Sequence, residues 1–177
     1  MTFVKENYLR TFRRAKEEDM SNIKKLYLAA ASQSNGIARK PHEITDKYIN
    51  KIVSGSIKKS LIMIAEEKDQ IIGSVNALKL GPECFSHVLS DLTFVIHPEF
   101  QGKGVGKALF KAFLEEIKKT MPEVKRIELF VRSSNEKAIK LYESCGFEKE
   151  GFLRRRIKNS EGIAEADVIM GWINFDN

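Results

Sequence analysis

Residues 97–107 read His97-Pro98-Glu99-Phe100-Gln101-Gly102-Lys103-Gly104-Val105-Gly106-Lys107, and ALFKAFLEEIKK follows without a break at 108–119. Pro98 ends the strand before it, because it carries no N–H for a ladder. Glycine at 102, 104 and 106 permits positive φ and a close approach of main chain. Apolar residues at 105, 108, 109, 112, 113 and 117 follow the i, i+3, i+4, i+7 series of one helix face. That spacing predicts a helix from Val105 to about Lys118-Lys119, before Pro122. The first N–H groups of such a helix lack acceptors within it and its dipole turns a positive end to the glycines, so the turn suits an anion such as a pyrophosphate. The dipole contributes about 0.3 to 2 kcal/mol, and Lys103, Lys107 and Lys111 about 0 to 1 kcal/mol each when exposed. A turn that only joins strand to helix uses the same glycines, so the turn alone leaves both readings open.

Spacing removes the common nucleotide loops. A dinucleotide fingerprint starting at Gly102 needs Gly or Ala at 107, where Lys107 stands. A Walker loop needs four residues before its Gly-Lys pair, and only Lys103, Gly104 and Val105 separate Gly102 from Gly106. Ala108 also replaces the Ser/Thr that would hold magnesium.

Working outward, Leu9 to Arg14 reads as a first strand, and Glu17-Glu18-Asp19 as the acidic first turn of a helix with Met20, Ile23, Leu26, Tyr27 and Ala30 inward. SQSNGIARKPHE is a loop, and Ile44 to Ser54 a second helix burying Tyr48, Ile49, Ile52 and Val53. SLIMIAEE and QIIGSVNALKL form a hairpin around Glu67-Lys68-Asp69, and HVLSDLTFVIHP is the next strand. Beyond the central helix come the strand RIELFV, the helix NEKAIKLYESC closed by Gly146, and two strands around NSEG. This order predicts an α/β (α+β) chain, a mixed sheet with helices on both faces, in one domain over 1–177.

The formal charge of +6, from 30 Lys+Arg against 24 Asp+Glu in 177 residues, is a mild and dispersed excess that ranks partners weakly. Cys84 and Cys145 show no metal-ligand spacing and His42, His87 and His97 stand apart, so no metal site or disulfide framework is expected. No signal-like or membrane-spanning apolar run is present, and two lone cysteines fit a reducing cytoplasm.

FVIHPEFQGKGVGKALFKAFLEE resembles the acyl-coenzyme A signature of the GNAT superfamily of N-acetyltransferases. That signature has Gln or Arg, then two residues, Gly, one residue, and Gly or Ala, met by Gln101, Gly104 and Gly106. VRSSNEKAIKLYESCGFEKEG resembles the same family's second motif, and the element order matches from Leu9 to Phe175. The resemblance implies a mostly antiparallel sheet of about seven strands, splayed in the middle between the strand before the glycines and RIELFV. Acetyl-CoA enters that gap as cosubstrate. Its pantetheine and thioester meet the backbone of Phe94, Val95 and Ile96, and its pyrophosphate the N–H groups of Gly102, Lys103, Gly104, Val105, Gly106 and Lys107. Asn135 is the matched residue near the cofactor and Tyr142 the matched acid.

Acetyl transfer to an amine needs a neutral nitrogen, oxyanion donors and a proton for the leaving thiolate. Tyr142 also shares a helix face with Ala138, Leu141 and Cys145 and serves equally as core; Asn135 also sits where a helix N-cap belongs. Relatives that acetylate protein N-termini carry a glutamate where Leu129-Phe130-Val131-Arg132 has Phe130, which accepts no proton. Asp91 is the alternative base, on the same side of its strand as Thr93 and Val95 by alternation, though a solvated carboxylate explains it as well. Glu83 and Glu128 are weaker candidates. Cys145 lacks an adjacent His, so attack is expected to be direct, in a ternary complex. The expected partners are acetyl-CoA and an amine: a small amine, an amino acid or a peptide N-terminus. No membrane and no nucleic acid are expected, and a homodimer is left open. Two alternatives stand beside this: an RNA- or ribosome-associated module using Arg154-Arg155-Arg156, and an acyl-CoA sensor without catalysis. Specificity falls to the first two helices, their loop and the C-terminal hairpin.

Overall fold

The computed structural model describes residues 10–33 and 36–174, with backbone alone over 55–60. The expectations for Leu9, Ser34, Asn35 and Phe175 lie outside these residues. The elements are β1 (Thr11–Arg14), α1 (Met20–Ala31), α2 (Asp46–Lys59), β2 (Ser60–Glu67), β3 (Gln70–Lys79), β4 (Val88–Ile96), α3 (Val105–Thr120), β5 (Arg126–Arg132), α4 (Glu136–Glu143), β6 (Glu148–Lys158) and β7 (Ala164–Ile173). The strands form one seven-stranded sheet in the order β1-β2-β3-β4-β5-β7-β6. All neighbouring pairs are antiparallel except β4 with β5.

Local chemistry sets the boundaries. Lys68 and Asp69 both have positive φ (51° and 60°), the two-residue turn whose twist suits a hairpin, and it joins β2 to β3. Gly146 closes α4 at φ 89°. The second helix starts at Asp46 rather than Ile44, because Pro41–Glu43 forms its own 3-10 turn and Ile44 leaves the helical region at ψ 68°. In α3 the buried face is Val105, Leu109, Phe110, Phe113, Leu114 and Ile117. The stripe is therefore rotated from the one read off the sequence, and Ala108 is exposed. The rotation exchanges Ala108 and Ala112 for Phe110 and Leu114, and a phenyl ring and a leucine outweigh two alanines in burial free energy, at about 1.5–3 kcal/mol for each fully buried side chain of that size.

The sheet separates two apolar layers. On one face α3 and α4 cover Leu61, Met63, Ala65, Val75 and Ala77. On the other α1 and α2 cover Ile62, Ile64, Ile71 and Val95. Residues of β2 alternate strictly between the two, as period-two geometry requires.

Asp19 does something other than the helix-dipole role expected of it. Its carboxylate accepts two bonds from the Arg13 guanidinium (2.8 and 2.9 Å) and one from Lys16 N (2.7 Å), while Arg13 Nε donates to Glu66 at 2.9 Å. This ties edge strand β1 to the start of α1. The Arg13 hydrogen bonds hold the buried Asp19 carboxyl below its ordinary value. A depressed folded-state value means stability present above the unfolded pKa of about 3.9 and lost as pH falls through the carboxylate range. Asp19→Asn is expected to cost about 1.5–3 kcal/mol at neutral pH, and the gap from the parent protein to close in acid. Urea unfolding at both pH values checks this; a gap independent of pH would contradict the assignment.

Candidate active site

Only two residue pairs join β4 to β5, Val88 with Arg126 and Leu89 with Ile127. Beyond Leu89 the strands part. The cause lies in β4: Ser90 pairs with Leu78 and Thr93 with Asn76, so two residues, Asp91 and Leu92, face the single Ala77 of β3. This bulge carries Asp91 at φ 50°, a conformation Asp tolerates better than most residues. A bulge bends its strand and increases the local twist, which steers β4 away from β5.

The register also decides which main-chain groups face the gap. His97 N donates to Ile72 O at 2.9 Å. Hydrogen-bonded pairs alternate along an antiparallel ladder, so Val95 and Thr93 turn their polar backbone to β3 as His97 does. Phe94 and Ile96 turn theirs into the gap. The expectation that Phe94, Val95 and Ile96 all offer backbone there is corrected at Val95, whose main chain belongs to the ladder.

At the open end of the gap lies the glycine turn. Gly102 and Gly104 have φ of 73° and 78°, and a Cβ on either would meet nothing within 4 Å. Their conformation, not crowding, therefore requires glycine. At Gly106 a Cβ would be a tight fit, 3.3 Å from the Phe94 ring and 3.6 Å from Ile96; the first turn of α3 rests directly on β4. Ala108 N returns to Gly104 O at 3.2 Å, while the N–H groups ahead of it have no acceptor within the helix. Gln101 Nε2 donates to Ile96 O at 3.3 Å, joining turn to strand. Arg10 donates to Lys103 O at 3.1 Å from the opposite side. Lys103 and Lys107 are exposed, and Lys103 Nζ stands 5.2 Å from the Phe100 ring.

Tyr142 comes up beneath the gap from α4. It is 7% exposed, with ring centroids of Phe94, Phe110 and Phe147 at 6.3, 5.3 and 5.9 Å. Burial pushes its phenol above the ordinary tyrosine value, and the neighbouring Cys145 adds to the shift. Asn135 caps α4, its side chain accepting from Ala138 N at 3.2 Å. Among the weaker candidates, Glu128 is engaged by Arg126 at 3.3 Å, and Glu83 lies on an exposed turn before β4. Phe130 is 42% exposed, under the Arg156 guanidinium at 5.0 Å. Arg156 also pairs with Asp167 at 3.4 Å.

The opposite face of β3 and β4 carries a polar group that sequence reading passed over. Tyr27 OH donates to Asn76 Oδ1 at 2.9 Å, both buried. The Ser74 hydroxyl approaches this pair, wholly buried, and completes no hydrogen bond. Tyr48 packs edge-on to Tyr27 at 6.2 Å, with the Arg39 guanidinium over its other side at 4.1 Å. Burial raises the Tyr48 phenol, the Arg39 charge and hydrogen bonding with Arg39 and Thr93 lower it, and the Asp91 charge raises it again. Asp91 thus acts on the side of α1 and α2, as Thr93 does. The signal was present in QIIGSVNALKL: serine and asparagine inside an otherwise apolar strand need buried partners.

Residues 41–147, more than half of the chain, match the family described as Acetyltransferase (GNAT) family. The chain belongs to this GNAT acetyltransferase family. Its relatives include a spermidine N(1)-acetyltransferase of Vibrio cholerae, 31% identical over 63% of this chain and 61% of that one. The ribosomal protein bS18-alanine N-acetyltransferase of Escherichia coli is 34% identical over 42% of this chain and 49% of that one. The chain thus spans about half to three fifths of the relatives it matches. Among solved structures, a ribosomal-protein-alanine N-acetyltransferase from Brucella melitensis superimposes with a TM-score of 0.80, at 22% identity, over 93% of this chain and 99% of that one. A Salmonella typhimurium acetyltransferase with its cofactor acetyl-CoA gives 0.81 at 18% identity over 95% of both chains. The GNAT fold expected from the two motifs is the fold observed, including the parted central strands. No helix among the described residues is long and apolar enough to cross a membrane.

In this GNAT chain both Tyr27 and Tyr142 are held protonated, chiefly by burial. Neither is expected to ionise in a spectrophotometric titration through about pH 10 to 11, where an ordinary tyrosine of pKa about 10 does. Tyr142→Phe should leave the amplitude in that range unchanged; losing one tyrosine's share of it would refute the placement.

Proposed function

We propose that this chain is an acetyl-CoA-dependent N-acetyltransferase, acting as one domain, that moves an acetyl group to a primary amine by direct attack in a ternary complex. The observation that carries the reading is the juxtaposition of two anion- and amide-binding features: the backbone of Phe94 and Ile96, turned away from β3 with no strand to pair it, and the glycine turn with free N–H groups at the head of α3. An extended amide-rich chain ending in a pyrophosphate fits both. Open space in front of Gly102 and Gly104 leaves room for phosphate oxygens at the helix terminus.

When bound, acetyl-CoA supplies an acetyl thioester, whose acyl group passes to the amine nitrogen while the thiol departs. Phe94 and Ile96 orient the acyl chain alongside β4. Val105, Gly106 and Lys107 present N–H groups to the pyrophosphate, and the exposed lysines screen it. Tyr142, kept protonated by burial, stands ready to donate its proton to the leaving sulfur. Asn135 contributes by holding the first turn of α4, and so Tyr142, in place. An acceptor ammonium of pKa about 10.4 costs roughly 4 to 5 kcal/mol to neutralise at pH 7. Asp91, exposed at the bulge, accepts that proton through water.

Acetyl-CoA at one hundred times its Kd is expected to stabilise the protein by about 2.7 kcal/mol, with much smaller shifts from ATP or NAD; equal shifts would sink the assignment. Gly104→Glu places negative charge and a side chain at a φ of 78° and should abolish the acetyl-CoA shift. Tyr142→Phe should lower kcat about 100-fold while the acetyl-CoA Kd stays nearly constant. An unaltered kcat would remove the acid role.

A further inference from the structure

The loop between α1 and α2 is held at two places. Gly36 packs its main chain against the end of α1 so closely that a Cβ would lie 1.9 Å from Ala30 O, and the Arg132 guanidinium at the end of β5 donates to Gly36 O. A few residues on, the same loop lays the Arg39 guanidinium on the Tyr48 ring at 4.1 Å. The Arg39 charge also lowers the exposed Glu43 carboxyl in the same loop, and the Tyr48 phenol takes one of its hydrogen bonds. Stacking leaves the guanidinium's edge, with its fork of N–H donors, available to a planar anion. Asp91, at the bulge beside the gap, lies near enough for its charge to raise the Tyr48 phenol. A cation and an anion therefore both act on one aromatic ring next to the parted strands.

We propose that the acceptor is a free amino acid, a small zwitterion whose carboxylate is held by Arg39 and whose amino group lies toward Asp91 and the gap. This rests on the acetyltransferase reading and names its substrate class. Two competing acceptors fit less well. A polyamine carries no anion, and brings a second cation toward Arg39, a repulsion that discriminates against it. A peptide N-terminus presents a neutral amide where Arg39 offers a bidentate grip suited to carboxylate.

The test compares initial rates on free L-amino acids, the corresponding amino acid amides, an alanine-terminated peptide and spermidine, for the parent protein, Arg39→Met and Arg39→Lys. Acetyl-CoA binding is followed separately by calorimetry. The expected result is a preference for the best amino acid over its amide of at least about ten-fold, the scale of a charged hydrogen bond. Arg39→Met raises KM for the acid by a similar factor and collapses the acid-to-amide preference toward one, with acetyl-CoA affinity retained. Arg39→Lys keeps part of the preference. Spermidine or the peptide turning over better than every amino acid would overturn the proposal and leave the acetyltransferase reading standing. The same holds if Arg39→Met slows all acceptors by one common factor, the mark of a merely structural residue. Absence of both acetyl-CoA binding and turnover would overturn the acetyltransferase reading and this one with it.

Discussion

Beyond Leu89 the main chain of β4 has a partner strand on one side only, and much of the molecule is arranged around that missing ladder. A strand in the middle of a sheet cannot leave polar backbone unpaired away from water without a cost comparable to a lost hydrogen bond. Here the bulge at Asp91 and Leu92 turns β4 away from β5, and β7 pairs with β5 from the other side through seven residue pairs. The far half of the sheet is thereby secured independently of β4. The gap is stable because each bordering strand is anchored elsewhere, and its exposed amides remain free for a ligand.

The glycine turn follows from the same opening. α3 must start close to the free edge of β4 for its terminal N–H groups to reach a molecule lying in the gap. Gly106 makes the close approach sterically feasible, and positive φ at Gly102 and Gly104 folds the turn back over it. The cost of ordering that turn is offset by the helix it begins, whose buried face carries Phe110, Phe113 and Leu109 into the core. Packing on one face and recognition at the terminus are thus coupled: a shift of α3 by the size of one methyl group would displace both.

The two faces of the sheet divide the chemistry. On the α3 and α4 side Tyr142 is enclosed by aromatic rings, which keep its phenol neutral. On the α1 and α2 side Tyr27, Asn76, Tyr48 and Thr93 form a polar path leading from the core to the loop that carries Arg39. β4 belongs to both, because its side chains alternate: Phe94 and Ile96 point to α3, Val95 and Thr93 to α1 and α2. One strand therefore lies between the enclosed Tyr142 and the polar group of Tyr27, Asn76 and Tyr48.

The order of elements, the hairpin turn at Lys68-Asp69, the caps at Asn135 and Gly146 and the glycine turn were all legible in the chain, because each depends on neighbours in sequence: φ preferences, apolar period and capping. The gap was legible only through resemblance to a family, since strand separation involves residues far apart in the chain. Rotation of the α3 face toward Phe110 and Leu114 needed the partner surface. So did the assignment of Val95's backbone to the ladder, which turns on a register shift of one residue at the bulge, and such a shift leaves no periodic trace. Arg39 stacked on Tyr48, and Tyr27 bonded to Asn76 across 49 positions, are invisible to local rules. The sequence by itself determined a strand, glycine turn and helix within an α/β order. Tertiary structure alone decided which side chains gather beside the gap, because contacts between residues far apart in the chain are settled by three-dimensional packing.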